Sequence, residues 1–380
     1  MNKQKIIILF TVFVDVLGFG IVIPILPFYL GEFGAKPLTI TLLFSTFSFF
    51  AFLSSPFLGA LSDRIGRRRV LMASIFSTAL GWFVFASAVS IPMLFLGRII
   101  DGIAAGNFTT AQSYLVDISK SDKERTSNLG ILGATFGIGF MVGPLIGGLL
   151  STVSHAFPFY FAGGMALLNG IFALFMLPET NTNLNTEKLK YDPFLPLTRA
   201  YKSEKLRPIF IVWFIFSISF VVMQSVFALY AQIEFGYNAF QVGMFFTIIG
   251  VVVAFNQTVL LKRFWLRRFS EPQLQKIMML ILFIGVVLLG MPSMIFFFMA
   301  LPFLGTGQAV LRVVIASRAA GYAEATTKGE IMGITGSIMS MAMVFGPICA
   351  GFLFEYHHTA PFITASVLLL AGFFYSKSEK

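Results

Sequence analysis

RTSNLGILGATFGIGFMVGPLIGGLLSTVSHAFPF, residues 125–159, is a long apolar segment punctuated by glycines, and 203 residues later the chain repeats it as KGEIMGITGSIMSMAMVFGPICAGFLFEYHHTAPF, residues 328–362. Without a gap, Gly130, Gly133, Gly143, Pro144, Gly148, His155, Pro158 and Phe159 fall on Gly333, Gly336, Gly346, Pro347, Gly351, His358, Pro361 and Phe362. The same shift carries Gly102 onto Gly305. Glycine and proline are chosen for backbone reasons rather than for apolarity, so composition alone does not explain the agreement. The chain reads as two related halves. In a membrane protein such a repeat places a solute site near the bilayer midplane, between halves that rock in alternation.

Outward from the repeat, the rest of the chain has the same character. Of 380 residues, 57% are hydrophobic and only 12% charged, against about 25% charged in a soluble protein. Runs of about 18 or more apolar residues recur, and the alternation of a β-barrel does not. The expected fold is an all-α membrane protein. Its twelve spans lie near residues 6–30, 40–61, 70–89, 92–118, 127–151, 157–177, 208–232, 240–261, 275–291, 294–317, 328–354 and 359–376. They form two pseudo-symmetric six-helix bundles, residues 1–177 and 208–380. Residues 178–207, with Asn, Thr, Pro and Lys, read as a linker carrying a short surface helix over 195–205.

The net charge of +10 does not form one nucleic-acid-binding face. With twelve spans, the lysines and arginines outside the spans fall on one side, and Lys36 alone falls on the other. The positive-inside rule then sets both termini in the cytoplasm. Lys3 and Lys5 precede an apolar stretch that runs to Tyr29 without a small-residue cleavage site, so it reads as a first span rather than a leader. Cys349 is the only cysteine, which excludes a disulfide framework and a Cys-based metal site. His155, His357 and His358 sit at loop edges without metal-ligand spacing. No glycine loop with a lysine cradles phosphate, so ATP is not the energy source. No metal, cofactor or nucleic acid is expected. The partners are the lipid bilayer, protons and a small-molecule solute.

Asp15, Arg98 and Asp101 fall within apolar spans. Unpaired at the centre of a bilayer, each costs about 2.5–3.5 kcal/mol. A rise of about 1.5 Å per residue places Asp15 roughly 13 Å from the cytoplasmic end of span one, and Asp101 roughly 13 Å from the outer start of span four. Across a core about 30 Å thick these heights nearly coincide. Two acids competing for one guanidinium can hold a transferable proton. A static ion pair that fixes helix packing is the competing reading.

The loop GALSDRIGRRR, residues 59–69, combines a turn at Gly66 with Asp63 and four arginines. Asp117 and Asp122 are candidate partners for arginine forks; alternatively the arginines only enforce topology. Gly139, Gly143 and Gly147, spaced by four, with Gly133 and Gly137, make a small-residue ridge. Pro144 invites a bend there, which suits either a gating helix or tight packing without motion. Phe19, Asn107, Gln112, Gln224, Asn256, Gln257 and Gln308 are candidates to line a substrate cavity, or to bond to neighbouring helices. With few charges available, a bulky, amphipathic or weakly cationic solute is favoured over a strong anion. Arg312, about two turns from the cytoplasmic end of span ten, is expected to snorkel to the surface.

The pattern G-x-L-S-D-R-x-G-R-R between spans two and three resembles the signature loop of the major facilitator superfamily, and the resemblance covers the full chain. LGFGIVIPILPFYL, residues 17–30, resembles the first-span motif of its twelve-span drug:proton antiporters; LGRIIDGIAAG, residues 96–106, resembles their fourth-span motif, with Arg98 in the arginine position. GATFGIGFMVGPLIGG, residues 133–148, resembles the fifth-span motif of exporters. Together they look most like the tetracycline-resistance and multidrug-efflux group. The resemblance implies export of small amphipathic compounds in exchange for protons, by a monomer in the plasma membrane of a bacterium. It implies a cytoplasmic gate of Gly59, Asp63, Arg64, Gly66, Arg67 and Asp117; proton coupling at Asp15, Arg98 and Asp101 is the expectation that the charges within the spans themselves carry. It implies a hinge at Gly133, Gly137, Gly143, Pro144, Gly147 and Gly148. Many relatives carry a neutral residue where this chain has Asp101, so its role does not transfer. The second-half counterpart of the loop, LLKRFWLRRFS from Leu260, keeps the basic residues but lacks the glycine and the acid. Two other readings stand beside this one: export or facilitated passage of a native metabolite such as a sugar, and a receptor or enzyme on the same fold. No nucleophile–base pair lies at membrane depth, so no enzyme is expected.

Overall fold

In hydrocarbon every backbone N–H and C=O must be satisfied within the protein, and a long apolar segment does this by closing on itself as a helix. The computed structural model describes residues 3–181, 194, 198, 206–322 and 328–378. The described elements are all helical: α1 (Lys3–Gly31), α2 (Pro37–Ile65), α3 (Arg67–Ala86), α4 (Ile91–Ile103), α5 (Asn107–Asp117), α6 (Asp122–Leu150), α7 (Phe157–Met176), α8 (Arg207–Phe235), α9 (Ala239–Phe255), a π-helix (Asn256–Trp265), α10 (Leu266–Arg268), α11 (Glu271–Leu289), α12 (Met294–Gly321), α13 (Lys328–Tyr356) and α14 (Ala360–Ser378). Counting α4–α5 and α9–α10 as single segments, eleven are long and apolar enough to cross a membrane; Ala360–Ser376 is a shorter apolar helix. This is an all-α membrane protein. The surface helix expected over 195–205 lies outside the described residues, apart from Thr198.

Two expectations need correction. Span four is not one helix: it breaks after Ile103 and resumes at Asn107. The freed carbonyl of Gly102 accepts from Ser54 Oγ (2.7 Å) and from the Ala105 amide (3.2 Å). A hydroxyl from a neighbouring helix thus makes the break tolerable at membrane depth. Span eight does not end near residue 261. It continues through the π-helix to Arg268, so the basic stretch read as a loop is helical. Asn256 holds the change of winding: its Nδ2 donates to the Val252 carbonyl (3.0 Å) and to Thr306 Oγ1 (3.1 Å), and its Oδ1 accepts from Trp265 Nε1 (3.0 Å).

The chain divides into two compact units: residues 1–35, 46–193 and 239–244, and residues 36–45, 194–238 and 245–380. In the first, the glycine ridge of α6 lies on α1. A Cβ at Gly139 would meet the Phe13 carbonyl at 3.2 Å, one at Gly143 the Leu17 carbonyl at 2.8 Å, and one at Gly147 the Ile25 side chain at 2.7 Å. Gly133 and Gly137 have nothing within 4 Å. Despite Pro144, α6 is unbroken. In the second unit α13 packs on α8 in the same way, with Gly346 against Val221 at 2.8 Å. The repeat in the sequence is therefore a repeat in packing.

These distances yield a stability prediction. Gly143→Ala drives a methyl into the α1 backbone and should cost about 1–3 kcal/mol, read as a lower unfolding temperature of the purified protein. Gly137→Ala fills open space and should leave that temperature unchanged or slightly raised. Equal losses at both positions would contradict the packing described.

The phenylalanine run 296–298, which reads as lipid-facing, is split. Phe296 and Phe298 are exposed, whereas Phe297 is fully buried, with ring centroids 5.0–5.7 Å from Phe245, Phe235, Phe227 and Tyr237.

Candidate functional site

The break in span four shapes the site. α4 crosses α3 at two facing glycines: a Cβ on Gly97 would lie 2.9 Å from the Gly81 carbonyl, and one on Gly81 the same distance from Gly97 O and Asp101 Cβ. That approach sets Arg98 and Asp101, one helical turn apart, against Thr78 and Trp82 of α3. Beyond the break, Asn107 opens α5 and turns towards α1. Asp15, Phe19, Phe47, Thr78, Trp82, Arg98, Asp101, Ala105 and Asn107 line a single cavity of about 80 Å³. One water needs about 10–15 Å³ by such a measure, whereas drug-sized ligands occupy about 300–1,000 Å³. The cavity has room for water and protons, and is too small for a bulky solute.

Arg98 is 4% exposed and Asp101 5%, and the two form an ion pair. The guanidinium also stacks on three rings, Trp82 (4.6 Å), Phe47 (4.7 Å) and Phe85 (5.5 Å). These rings repay part of the desolvation of a buried cation. Asp15 is held differently. Its Oδ1 accepts from Asn107 Nδ2 at 2.9 Å, and the same amide reaches Thr78 Oγ1 at 3.3 Å. The three charges expected to cluster do share one cavity, but Arg98 pairs with Asp101, while Asp15 has a neutral amide for its partner. Phe19 sits at the edge, 6.4 Å from both Phe47 and Phe140.

The other candidates lie elsewhere. Gln112 is exposed on α5. Gln257 is exposed and donates to the Ala309 carbonyl at 3.4 Å, and the Asn256 amide is taken up within the π-helix. Gln224 and Gln308 are half-buried in the second unit. Thr78, Trp82 and Phe47 were not singled out from sequence. Thr78 and Trp82 stand four apart on the helix that follows the arginine-rich loop, a spacing that puts them on one face.

A second constellation forms around that loop. Gly66 has φ +106°, a conformation that side chains disfavour, and a Cβ there would collide with the Glu179 carboxylate. Arg67 is the hub: it reaches Asp63 at 2.5 Å, Asp117 at 3.1 Å and Ser62 Oγ at 2.6 Å. Asp122 pairs instead with Arg125, at 3.0 Å. Arg64 has no ion pair among the described residues, and Gly59 faces open space. Glu179, not anticipated from sequence, accepts from the amides of Arg67 (2.8 Å) and Arg68 (3.1 Å) and so caps the positive end of α3. Thr180 and Asn181 tie the same segment to Asp117 and to the Asp63 carbonyl. An acid directly after an apolar span was the available signal. Glu179→Gln should weaken this cap by about 1 kcal/mol. Hydrogen exchange at the Arg67 and Arg68 amides should accelerate, and unchanged protection would show that the carboxylate charge is not what holds the turn.

The family model described as Major Facilitator Superfamily matches residues 8–301. Quinolone resistance protein NorA of Staphylococcus aureus (strain MSSA476) is 29% identical over 374 residues, covering 98% of this chain and 95% of that protein. Tetracycline resistance protein, class H, of Pasteurella multocida is 28% identical over 382 residues, covering 94% and 90%. Among solved structures, the nucleoside transporter NupG superposes with a TM-score of 0.78 at 14% identity over the whole of both chains. The human organic anion transporter MFSD10 (TETRAN) gives 0.72 at 23% identity, covering 98% of each. At these identities the two structures establish the fold alone.

Proposed function

Because the chain belongs to the Major Facilitator Superfamily, we propose that it exports small amphipathic compounds in exchange for protons. Two six-helix bundles, residues 1–177 and 208–380 joined by the linker 178–207, alternate in access. The observation that carries this reading is the pair of carboxylates within apolar helices, half-buried Asp15 and buried Asp101, opening on one water-sized cavity with a single guanidinium. Asp101 is matched by Arg98. Asp15 is not matched, so it is the carboxylate free to gain and lose a proton, and Asn107 senses its state through their hydrogen bond. The names of the two bacterial relatives, which speak of quinolone and tetracycline resistance, support drug-like compounds as cargo.

In this scheme Gly59, Asp63, Arg64, Gly66, Arg67 and Asp117 form the cytoplasmic gate, with Glu179 as its clasp. Gly133, Gly137, Gly143, Pro144, Gly147 and Gly148 of α6 are the hinge. Both termini face the cytoplasm, and a monomer in a bacterial plasma membrane suffices. The test is reconstitution into vesicles with an imposed pH gradient and a panel of drugs and sugars. Gradient-dependent accumulation of amphipathic drugs is expected. Transport of sugars alone would favour a native metabolite, and accumulation indifferent to the gradient would defeat proton antiport.

A further inference from the structure

Arg312 does not behave as a snorkelling residue. It lies nine residues before the end of α12 at Gly321, about 13–14 Å along the axis at the usual helical rise. Its guanidinium stacks over Phe220 at 5.0 Å and Phe216 at 6.0 Å, both rings belonging to α8 and both buried. Its Nε is sealed from solvent without a hydrogen-bond partner, and no carboxylate pairs with it among the described residues. Arg98 has comparable aromatic packing and, in addition, Asp101. Arg312 has the rings without the acid. Burying a cation is costly, and ring faces return only part of that cost.

The surroundings are polar in a way that suits a ligand. Gln224 follows Phe216 and Phe220 at four-residue spacing and shares their face of α8. Gln308 stands one turn before Arg312 on α12. Both amides are half-buried and have no protein hydrogen-bond partner among the described residues. A fork of guanidinium donors with two free carboxamides is complementary to a planar anion.

We propose that Arg312, with Gln224 and Gln308, binds the carboxylate, or an equivalent planar anion, of an amphipathic substrate. This rests on the reading of the chain as an exporter of amphipathic compounds. It revises the substrate class expected from the scarcity of charge in the spans: the first unit's buried cation, Arg98, is neutralised by Asp101, and the second unit's half-buried Arg312 is not. A lipid headgroup offers the same chemistry, but the depth along α12 favours a solute that enters the protein.

The test is equilibrium binding of radiolabelled 2-naphthoate and its uncharged analogue 2-naphthamide to the full-length protein in phosphatidylcholine nanodiscs at neutral pH. Wild type should prefer the acid by about tenfold, the scale of a charge-assisted hydrogen-bonded pair. Arg312→Gln should bring the two within twofold of each other while still binding the amide, and Arg312→Lys should retain part of the preference. A wild-type ratio near one, or a ratio unaltered by Arg312→Gln, would overturn the proposal and leave Arg312 as a packing brace. If Arg312→Gln fails to fold, the wild-type ratio and the Arg312→Lys variant decide. In phosphatidylglycerol nanodiscs the preference should persist; its disappearance there would overturn the proposal by giving the site to the headgroup. The ratio is read without a pH gradient, so failure of gradient-driven export in vesicles would fall on the transport reading alone.

Discussion

Asp15→Asn is expected to abolish uphill export while leaving downhill exchange of substrate intact. A proton crossing a two-unit pH gradient releases about 2.7 kcal/mol, enough for roughly 100-fold accumulation per proton. That energy reaches the substrate only through a group that binds a proton on one side and releases it on the other. Asp15 is the carboxylate of the cavity without a cationic partner among the described residues, and it accepts a hydrogen bond from the Asn107 amide. Asparagine is nearly isosteric and can still bond to Asn107, so the fold should survive. Accumulation should fall from that level towards unity, while exchange between equal concentrations continues. The comparison separates a coupling defect from a misfolded carrier. Wild-type accumulation in the variant would move the proton to Asp101 or out of the first unit altogether.

Arg98→Leu should have the second-largest effect, and on stability. It leaves Asp101, 5% exposed, as a buried carboxylate without its counter-charge. Removing one member of a buried pair costs about 3–5 kcal/mol, and the rings of Trp82, Phe47 and Phe85 would also lose the cation they enclose. The variant should express poorly and unfold at a much lower temperature. The double change Arg98→Leu with Asp101→Leu should recover most of the loss, because replacing both members removes the uncompensated charge. If the single variant matched wild type in thermal unfolding, the ion pair would not be the structural centre of the site. A double variant that folds but still accumulates substrate against a gradient would show that the pair serves packing alone.

The span positions were legible because hydropathy and charge segregation are local properties, and hydrocarbon leaves the backbone little alternative to a helix. The packing of α6 on α1 was legible in part. Spacing by four marks a small-residue ridge, but not its division between Gly139, Gly143 and Gly147, which meet α1, and Gly133 and Gly137, which face open space. The pairing of Arg98 with Asp101 follows from their separation by one turn. The partner of Asp15 did not, because Asn107 reaches it only after span four breaks. That break depends on a hydroxyl from Ser54, 48 positions from the carbonyl it caps. The cap of α3 by Glu179 is likewise a contact across 112 positions. Arg312 was misread for the opposite reason. Its distance from a helix end suggested an escape to the surface, and the rings of Phe216 and Phe220 hold it inside.

In antiport, proton and solute move in opposite directions through one cycle. Liposomes containing the reconstituted protein and a trapped pH-sensitive dye, with a substrate gradient and no initial pH difference, test this most directly. Substrate moving down its gradient should drive protons the other way, and Asp15→Asn should silence the dye signal while substrate still crosses. Substrate flux in the wild-type protein with no proton movement would contradict the account.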